Sequence, residues 1–220
     1  MTTTTTPLTA ASVLARFRAL RIVPVIVIDD PADAVPLAGA LSDGSLACAE
    51  VTLRTPRALE ALRRIAAEQP DMLAGAGTVL TPAQAADARA AGARFIVAPG
   101  FNPAVVDYCL THQIPVFPGV CTPTEIEMAL GRGLSVVKFF PAEPIGGLAY
   151  LKAIAAPYTE LSFIPTGGIG PSNLVSYLAF SRVVACGGSW MAPSDWIAAK
   201  QFDRIRETAS AAAAIVASAE

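Results

Sequence analysis

Short apolar runs of strand length recur along this chain, and most lead within a few residues to a small polar residue, a proline and an Ala/Leu-rich stretch. The polar–proline pairs are Asp30-Pro31, Thr55-Pro56, Thr81-Pro82, Asn102-Pro103 and Thr122-Pro123, with Gly170-Pro171 after a longer gap. Such a pair marks a helix start. The polar side chain caps, while Pro brings a helical φ and lacks an N–H that the first turn would orphan anyway. The prolines of the first five pairs stand about 25, 26, 21 and 20 residues apart, a supersecondary beat.

The pattern predicts a leading helix over 8–20 followed by eight strand–helix units. Strands are expected over 22–28, 46–53, 72–76, 95–98, 115–117, 135–140, 161–164 and 183–186. Helices are expected over 31–41, 56–68, 82–92, from 103, over 123–130, 148–155 and 171–180, and from about 194. Leu59, Leu62 and Ile65/Ala66 make one apolar face in the second of these. Units that fill the chain without a linker predict a single-domain (β/α)8 TIM barrel over 1–220, with an extra N-terminal helix and a disordered tail over 1–7. The Ala/Ser-rich stretch over 211–220 is expected to fray at its end.

Barrels of this type carry their active sites at the C-terminal ends of the strands and in the loops that follow. Polar and glycine residues gather there: Asp29, Arg54, Gly77-Thr78, Pro99-Gly100, Gly119, Glu143, Thr166-Gly167-Gly168 and Gly187-Gly188-Ser189. Lys138, one of three lysines, sits in the apolar run Val136-Val137-Lys138-Phe139-Phe140. An ammonium there is costly unless it is paired or has lost its proton, and a neutral amine is a carbonyl nucleophile. A lysine that caps the strand and reaches out to water is the bland alternative.

Side-chain alternation sharpens the picture. Glu50, Thr52 and Arg54 share one face of the second strand; Ala49, Val51 and Leu53 share the other, which suits packing on helices. By the same parity Val136, Lys138 and Phe140 turn inward. Glu50 and Arg54 either pair inside the barrel or, being roughly 13 Å apart along the strand, address different parts of a ligand. An amine, a carboxylate and a guanidinium at the catalytic end match Schiff-base chemistry: attack on a ketone, proton transfer, and bidentate grip on a carboxylate. The two glycine pairs after the seventh and eighth strands let backbone N–H groups approach an anion, at the usual phosphate site of such barrels.

Composition narrows the class further. Hydrophobic residues make up 53% of the 220, enough to bury a large core. Sixteen basic and eighteen acidic residues give a net charge of −2 without a basic block, which excludes an obvious nucleic-acid or anionic-membrane surface. No signal peptide or membrane-length apolar run is seen. Cys48, Cys109, Cys121 and Cys186 are scattered, as in reduced thiols of a cytoplasmic protein. With His112 as the lone histidine, read as a surface residue, a zinc site is not expected.

The chain resembles the 2-keto-3-deoxy-6-phosphogluconate (KDPG) and 4-hydroxy-2-oxoglutarate (KHG) aldolases, class I pyruvate aldolases. The resemblance runs from about Ile22 to Asp203 and rests on Glu50-Val51-Thr52-Leu53-Arg54-Thr55, Gly75-Ala76-Gly77-Thr78-Val79-Leu80, Lys138-Phe139-Phe140-Pro141-Ala142-Glu143, Pro165-Thr166-Gly167-Gly168-Ile169 and Gly187-Gly188-Ser189-Trp190. It implies a Schiff-base lysine at Lys138 and a proton-transferring base at Glu50. It implies pyruvate contacts from Arg54 and Thr78, a pocket lined by Pro99, Phe140 and Thr166, and a phosphate cradle of Gly167, Gly168, Gly188 and Ser189. It further implies a phosphorylated keto-acid substrate, no cofactor or metal, and a homotrimer.

Two departures fall at the pocket rim, where they bear on substrate preference. Pro144-Ile145 replaces the usual Ala-Asn, and Gly170 stands where Ser is common. Glu143 is a second candidate acid/base, although a loop carboxylate that helps cap the next helix is the favoured reading. The galactonate-derived epimer, a phosphosugar isomerase or epimerase, and a non-catalytic phosphate-ligand binder are the competing functions. The isomerase or epimerase predicts no reducible lysine adduct, and the binder predicts no hydrogen–deuterium exchange at the methyl of pyruvate.

Overall fold

The computed structural model describes residues 9–218, so the tail expected over 1–7 lies outside the described residues. Helix α1 (Ala10–Leu20) leads into strand β1 (Ile22–Ile26), followed by α2 (Ala34–Asp43), β2 (Cys48–Thr52), α3 (Ala58–Glu68), β3 (Leu73–Gly77) and α4 (Pro82–Ala90). Next come β4 (Ile96–Val97), α5 (Pro103–Thr111), β5 (Val116–Phe117), β6 (Gly119–Val120), α6 (Pro123–Leu130) and β7 (Val136–Phe139). The remainder is α7 (Gly147–Ala155), β8 (Ser162–Pro165), α8 (Leu174–Leu178), β9 (Cys186–Gly188), α9 (Ser194–Ala198) and α10 (Phe202–Ala217).

The proline signals mark helix starts where the polar residue caps. Thr81 and Thr122 each form a capping box, with Gln84 and Glu125 respectively, and the Asn102 side chain accepts from the Ala104 N–H. Asp30 caps a short 3-10 turn ahead of α2. Thr55 behaves differently: its hydroxyl donates to the Ile28 carbonyl at 2.6 Å, and α3 begins only at Ala58. That hydroxyl is used to tie two strand-end loops together rather than to cap. Likewise α8 starts at Leu174, after a turn in which the Asn173 carboxamide oxygen accepts from Gly170 N.

All strand pairings are parallel, and the strands form a curled, barrel-like α/β sheet in two hydrogen-bonded pieces. One has the order β5-β4-β3-β2-β1-β9 and the other β6-β7-β8. The expected fifth strand is thus split. Pro118 has no N–H to extend the ladder, so Val116 and Phe117 pair with β4 while Gly119 and Val120 pair with β7. The Pro118 carbonyl still accepts from Lys138 N at 2.9 Å. The expected eighth strand over 183–186 is also shifted. Only an isolated bridge joins Val183 to Phe163, and the ladder with β1 runs Ile22↔Cys186, Val23↔Gly187 and Pro24↔Gly188. A second isolated bridge, Thr166↔Gly187, ties β9 to the end of β8.

Strand parity sorts the buried residues into two layers. Ala49, Val51, Val137, Phe139 and Phe163 pack outward with helix residues such as Ala58, Ala61, Leu62 and Ile65 of α3, an i, i+3, i+4, i+7 stripe. Val23, Cys48, Leu73, Val97, Val136 and Ile164 face inward and form a separate cluster with Val13 and Phe17 of α1. Phe17 meets Phe95 edge-on at 5.1 Å and Phe117 at 5.3 Å, which seals the end of the interior opposite the glycine-rich loops. Above that apolar floor, the inward positions become polar. Among the described residues, no helix is long and apolar enough to cross a membrane. All four cysteines are free, and His112 is exposed, stacked on Tyr108 at 4.0 Å.

Candidate active site

Lys138 on β7 and Glu50 on β2 reach across the interior from opposite sides. Lys138 Nζ lies 3.2 Å from Glu50 Oε1, with side-chain exposures of 6% and 5%. Parity places both charges inside, and neither escapes to water; the strand-capping lysine is therefore excluded. Burial forces the two charges together, because either one alone would leave an uncompensated ion in the core. Nζ also sits 5.2 Å above the Phe140 ring, a cation–π contact at the end of the same strand.

The pair opens into a cavity of about 270 Å³ whose lining includes Glu50, Lys138, Arg54, Thr78, Pro99 and Phe140. Its other wall is built by Thr166, Gly167, Gly168, Gly188 and Ser189. These eleven residues that the sequence singled out thus share one cavity, while Glu143, its second candidate acid/base, lies outside it. The structure also adds Val25, Thr52, Ile169 and Gly187. Thr52 shares the face of Glu50, a parity the sequence already displayed; its role became visible only with the hydrogen bonds. Its buried hydroxyl donates to the Ile26 carbonyl at 2.7 Å and accepts from Arg54 Nε at 3.2 Å.

Arg54 corrects a detail of the strand argument. β2 ends at Thr52, and Arg54 stands in the following turn, exposed at the rim rather than inside. Glu50 pairs with Lys138 and not with Arg54, leaving the guanidinium steered by Thr52 toward the cavity mouth. Thr78 follows β3 with φ of 57°, a left-handed conformation that a β-branched residue rarely adopts. The surrounding structure holds that strain in place at the cavity wall.

Glycines serve two distinct purposes here. Gly167 and Gly168 have φ of 103° and 81°, so the loop after β8 needs glycine for its backbone path and presents main chain to the cavity. Gly77 and Gly187 are instead small so that neighbours can approach. A Cβ at Gly77 would stand 2.2 Å from Glu50 Oε1, and one at Gly187 2.3 Å from Thr166 Oγ1. This second purpose carries no sequence signal of its own.

Glu143 does not cap α7, whose N-cap is Gly146 without a side-chain bond. Its Oε1 accepts from the Tyr177 hydroxyl at 2.5 Å, and it is not part of the cavity wall. Burial, followed by the Glu143 hydrogen bond and charge, pushes the Tyr177 phenol well above the usual range. Among the described residues, no group of three or more His, Cys, Asp or Glu side chains is placed to hold a metal ion.

A parallel α/β protein that buries an amine against a carboxylate, in a cavity open to glycine-rich strand ends, is equipped as a carbonyl-directed enzyme. Comparison with known proteins makes the class specific. The family model for KDPG and KHG aldolases matches residues 13–208. The 2-dehydro-3-deoxy-phosphogluconate aldolase of Treponema pallidum is 55% identical over 186 residues, covering 84% of this chain and 89% of that protein. The KHG/KDPG aldolase of Escherichia coli is 45% identical over 188 residues, covering 86% and 88% respectively. A crystal structure of KDPG aldolase from Legionella pneumophila, with pyruvate captured as a covalent carbinolamine, superposes with a TM-score of 0.88 at 43% identity and covers 90% of this chain and 97% of that one. This chain belongs to the KDPG and KHG aldolase family.

Proposed function

We propose that the protein is a class I aldolase that cleaves 2-keto-3-deoxy-6-phosphogluconate to pyruvate and glyceraldehyde 3-phosphate, with Lys138 as the Schiff-base residue and Glu50 as the proton-transfer group. The observation that carries the residue assignment is the 3.2 Å contact between two buried side chains at the floor of the cavity. Glu50 is placed to take a proton from Nζ, and the freed amine adds to the C2 ketone to give a carbinolamine. Loss of water leaves an iminium. Glu50, directly or through a water, removes the C4 hydroxyl proton, the C3–C4 bond breaks, and its electrons flow into the iminium to form an enamine. Glyceraldehyde 3-phosphate leaves with its new carbonyl at C4. Protonation of the enamine at C3 and hydrolysis of the resulting iminium release pyruvate and restore the amine.

The remaining residues take roles around these steps. Arg54 and Thr78 hold the carboxylate of the pyruvate half, Arg54 by a paired N–H grip. Pro99, Phe140 and Thr166 shape the pocket around the reacting carbons. The main chain of Gly167, Gly168 and Gly188, with Ser189, receives the phosphate. Support comes from their shared cavity and from the positive φ angles that turn the loop after β8.

The fold reading belongs with this proposal. The two curled pieces make one (β/α)8 barrel with α1 as an added helix over its floor, and the whole chain is one domain. Three features favour closure: the β1–β9 ladder, the bridges from Phe163 to Val183 and from Thr166 to Gly187, and the continuity of β5 and β6 through Pro118. A homotrimer and a cytoplasmic location complete the reading. The trimer rests on the family resemblance and is checked by the mass of the protein in solution; the location rests on the four scattered, free cysteines.

Pyruvate release from three substrates tests the assignment: KDPG, its galactonate-derived epimer, and KHG. KDPG is expected to be cleaved fastest, with KHG cleavage to pyruvate and glyoxylate slower for want of the phosphate contacts. Faster cleavage of the epimer or of KHG would contradict the substrate assignment.

A further inference from the structure

Glu143 and Tyr177 lie outside the cavity yet are wedged against its phosphate wall. Tyr177 is buried on α8, with 1% exposure, and its hydroxyl donates to Glu143 Oε1 at 2.5 Å. Glu143 follows the end of the Lys138 strand; its backbone N–H donates to the Gly167 carbonyl at 3.0 Å, next to the Ala142 N–H on the Thr166 carbonyl at 2.8 Å. Its side chain lies flat against Gly168, where an added Cβ would come 2.6 Å from Glu143 Cβ and 2.8 Å from Cγ. On the other side Gly147 is equally close: a Cβ there would stand 2.9 Å from Oε1 and 3.4 Å from the Tyr177 hydroxyl. The Ala142 and Glu143 N–H groups thereby join the loop after β7 to the loop after β8, and the phenol fixes which way the Glu143 carboxylate points.

We infer that Glu143 and Tyr177 form a positioning pair that sets affinity for the phosphorylated end of the substrate, an inference resting on the assignment of Gly167 and Gly168 to phosphate in the preceding subsection. The physical reason is twofold. Glu143 Cβ and Cγ back Gly168, so the set of this side chain bears on where that loop's main chain stands. The carboxylate is also a negative charge beside a site meant for a dianion, and the hydrogen bond draws Oε1 toward α8 and away from the incoming phosphate. Glu143 itself is exposed, and among the described residues Tyr177 is its one side-chain hydrogen-bond partner.

The test compares steady-state cleavage of KDPG and of unphosphorylated KHG by the unmodified protein, Tyr177→Phe and Glu143→Gln. Tyr177→Phe removes one hydrogen bond to a charged acceptor, so KM for KDPG is expected to rise about 10-fold, with kcat and all constants for KHG little changed. Glu143→Gln keeps an acceptor for the phenol and removes the charge, and is expected to retain the KM of the unmodified protein. Equal losses on both substrates in Tyr177→Phe mean a purely structural contact and overturn the inference. An unaltered KM for KDPG also overturns it. If the unmodified protein shows no preference for the phosphorylated acid, the phosphate assignment itself falls and this inference with it; a preference that survives Tyr177→Phe sinks the inference alone.

Discussion

Gly77 stands so close to Glu50 that a Cβ there would lie 2.2 Å from Oε1 and 2.8 Å from Cδ. Gly77 ends β3 in register with Thr52 of β2, one pleat from the carboxylate, with a backbone conformation open to other residues. Gly77→Ala is therefore expected to fold and to displace the carboxylate from Lys138. Losing a positioned proton-transfer group lowers turnover by about 100-fold or more. Pyruvate release measures it, and near-native turnover in a folded Gly77→Ala protein would refute the role given to Glu50.

The Lys138–Glu50 pair is a liability for stability when only half of it is present. Glu50→Leu leaves a buried ammonium without its partner and is expected to lose about 3–5 kcal/mol in urea unfolding. Replacing both, as Glu50→Leu with Lys138→Met, fills the space with apolar atoms and is expected to recover most of that loss. Additive losses in the double variant would show that the two side chains do not depend on each other.

Arg54 gives a different kinetic signature. Its guanidinium is held at the rim by Thr52 and touches only the carboxylate of the pyruvate half in this account. Arg54→Ala is expected to raise KM for the keto acid about 100-fold, with a smaller change in kcat, and Arg54→Lys to recover only part because a point charge lacks the paired geometry. A loss confined to kcat would move Arg54 into the chemical step.

Buried thiols set the behaviour in base. Burial raises Cys48 and Cys186 far above the ordinary thiol value of 9.0 and pushes Cys109 up to about 12. At Cys48 the Arg16 charge opposes the rise and Glu50 adds to it. These thiols stay protonated when folded and ionise when unfolded, so stability is full below about pH 9 and falls as pH rises from there toward the folded-state values. Each such thiol contributes a slope of about 1.4 kcal/mol per pH unit in that window. Urea midpoints taken from pH 7 to 10.5 are expected to be flat and then to drop, with a shallower drop in Cys48→Ala. A drop of equal steepness in that variant would locate the effect elsewhere.

The site was legible in sequence where parity and strand ends govern it. Alternation alone turned Glu50 and Lys138 inward, because the opposite faces had to be apolar to meet helices. What stayed hidden depends on neighbours distant in the chain. Gly187 read as half of a loop glycine pair, yet it lies in β9 and is small to admit Thr166. Pro118 splits one expected strand in two because a missing N–H matters only once the pairing partner is known. Thr55 looked like a cap, and Glu143 like another; each instead binds a partner distant in the chain, Ile28 in the loop after β1 and Tyr177 on α8.

Reductive trapping bears most directly on the central claim. With pyruvate and borohydride, the account predicts a stable carboxyethyl mass on the peptide carrying Lys138, loss of activity in step with labelling, and no labelling in Lys138→Ala. Label on Lys152 or Lys200, or cleavage of KDPG that persists in Lys138→Ala, would contradict it.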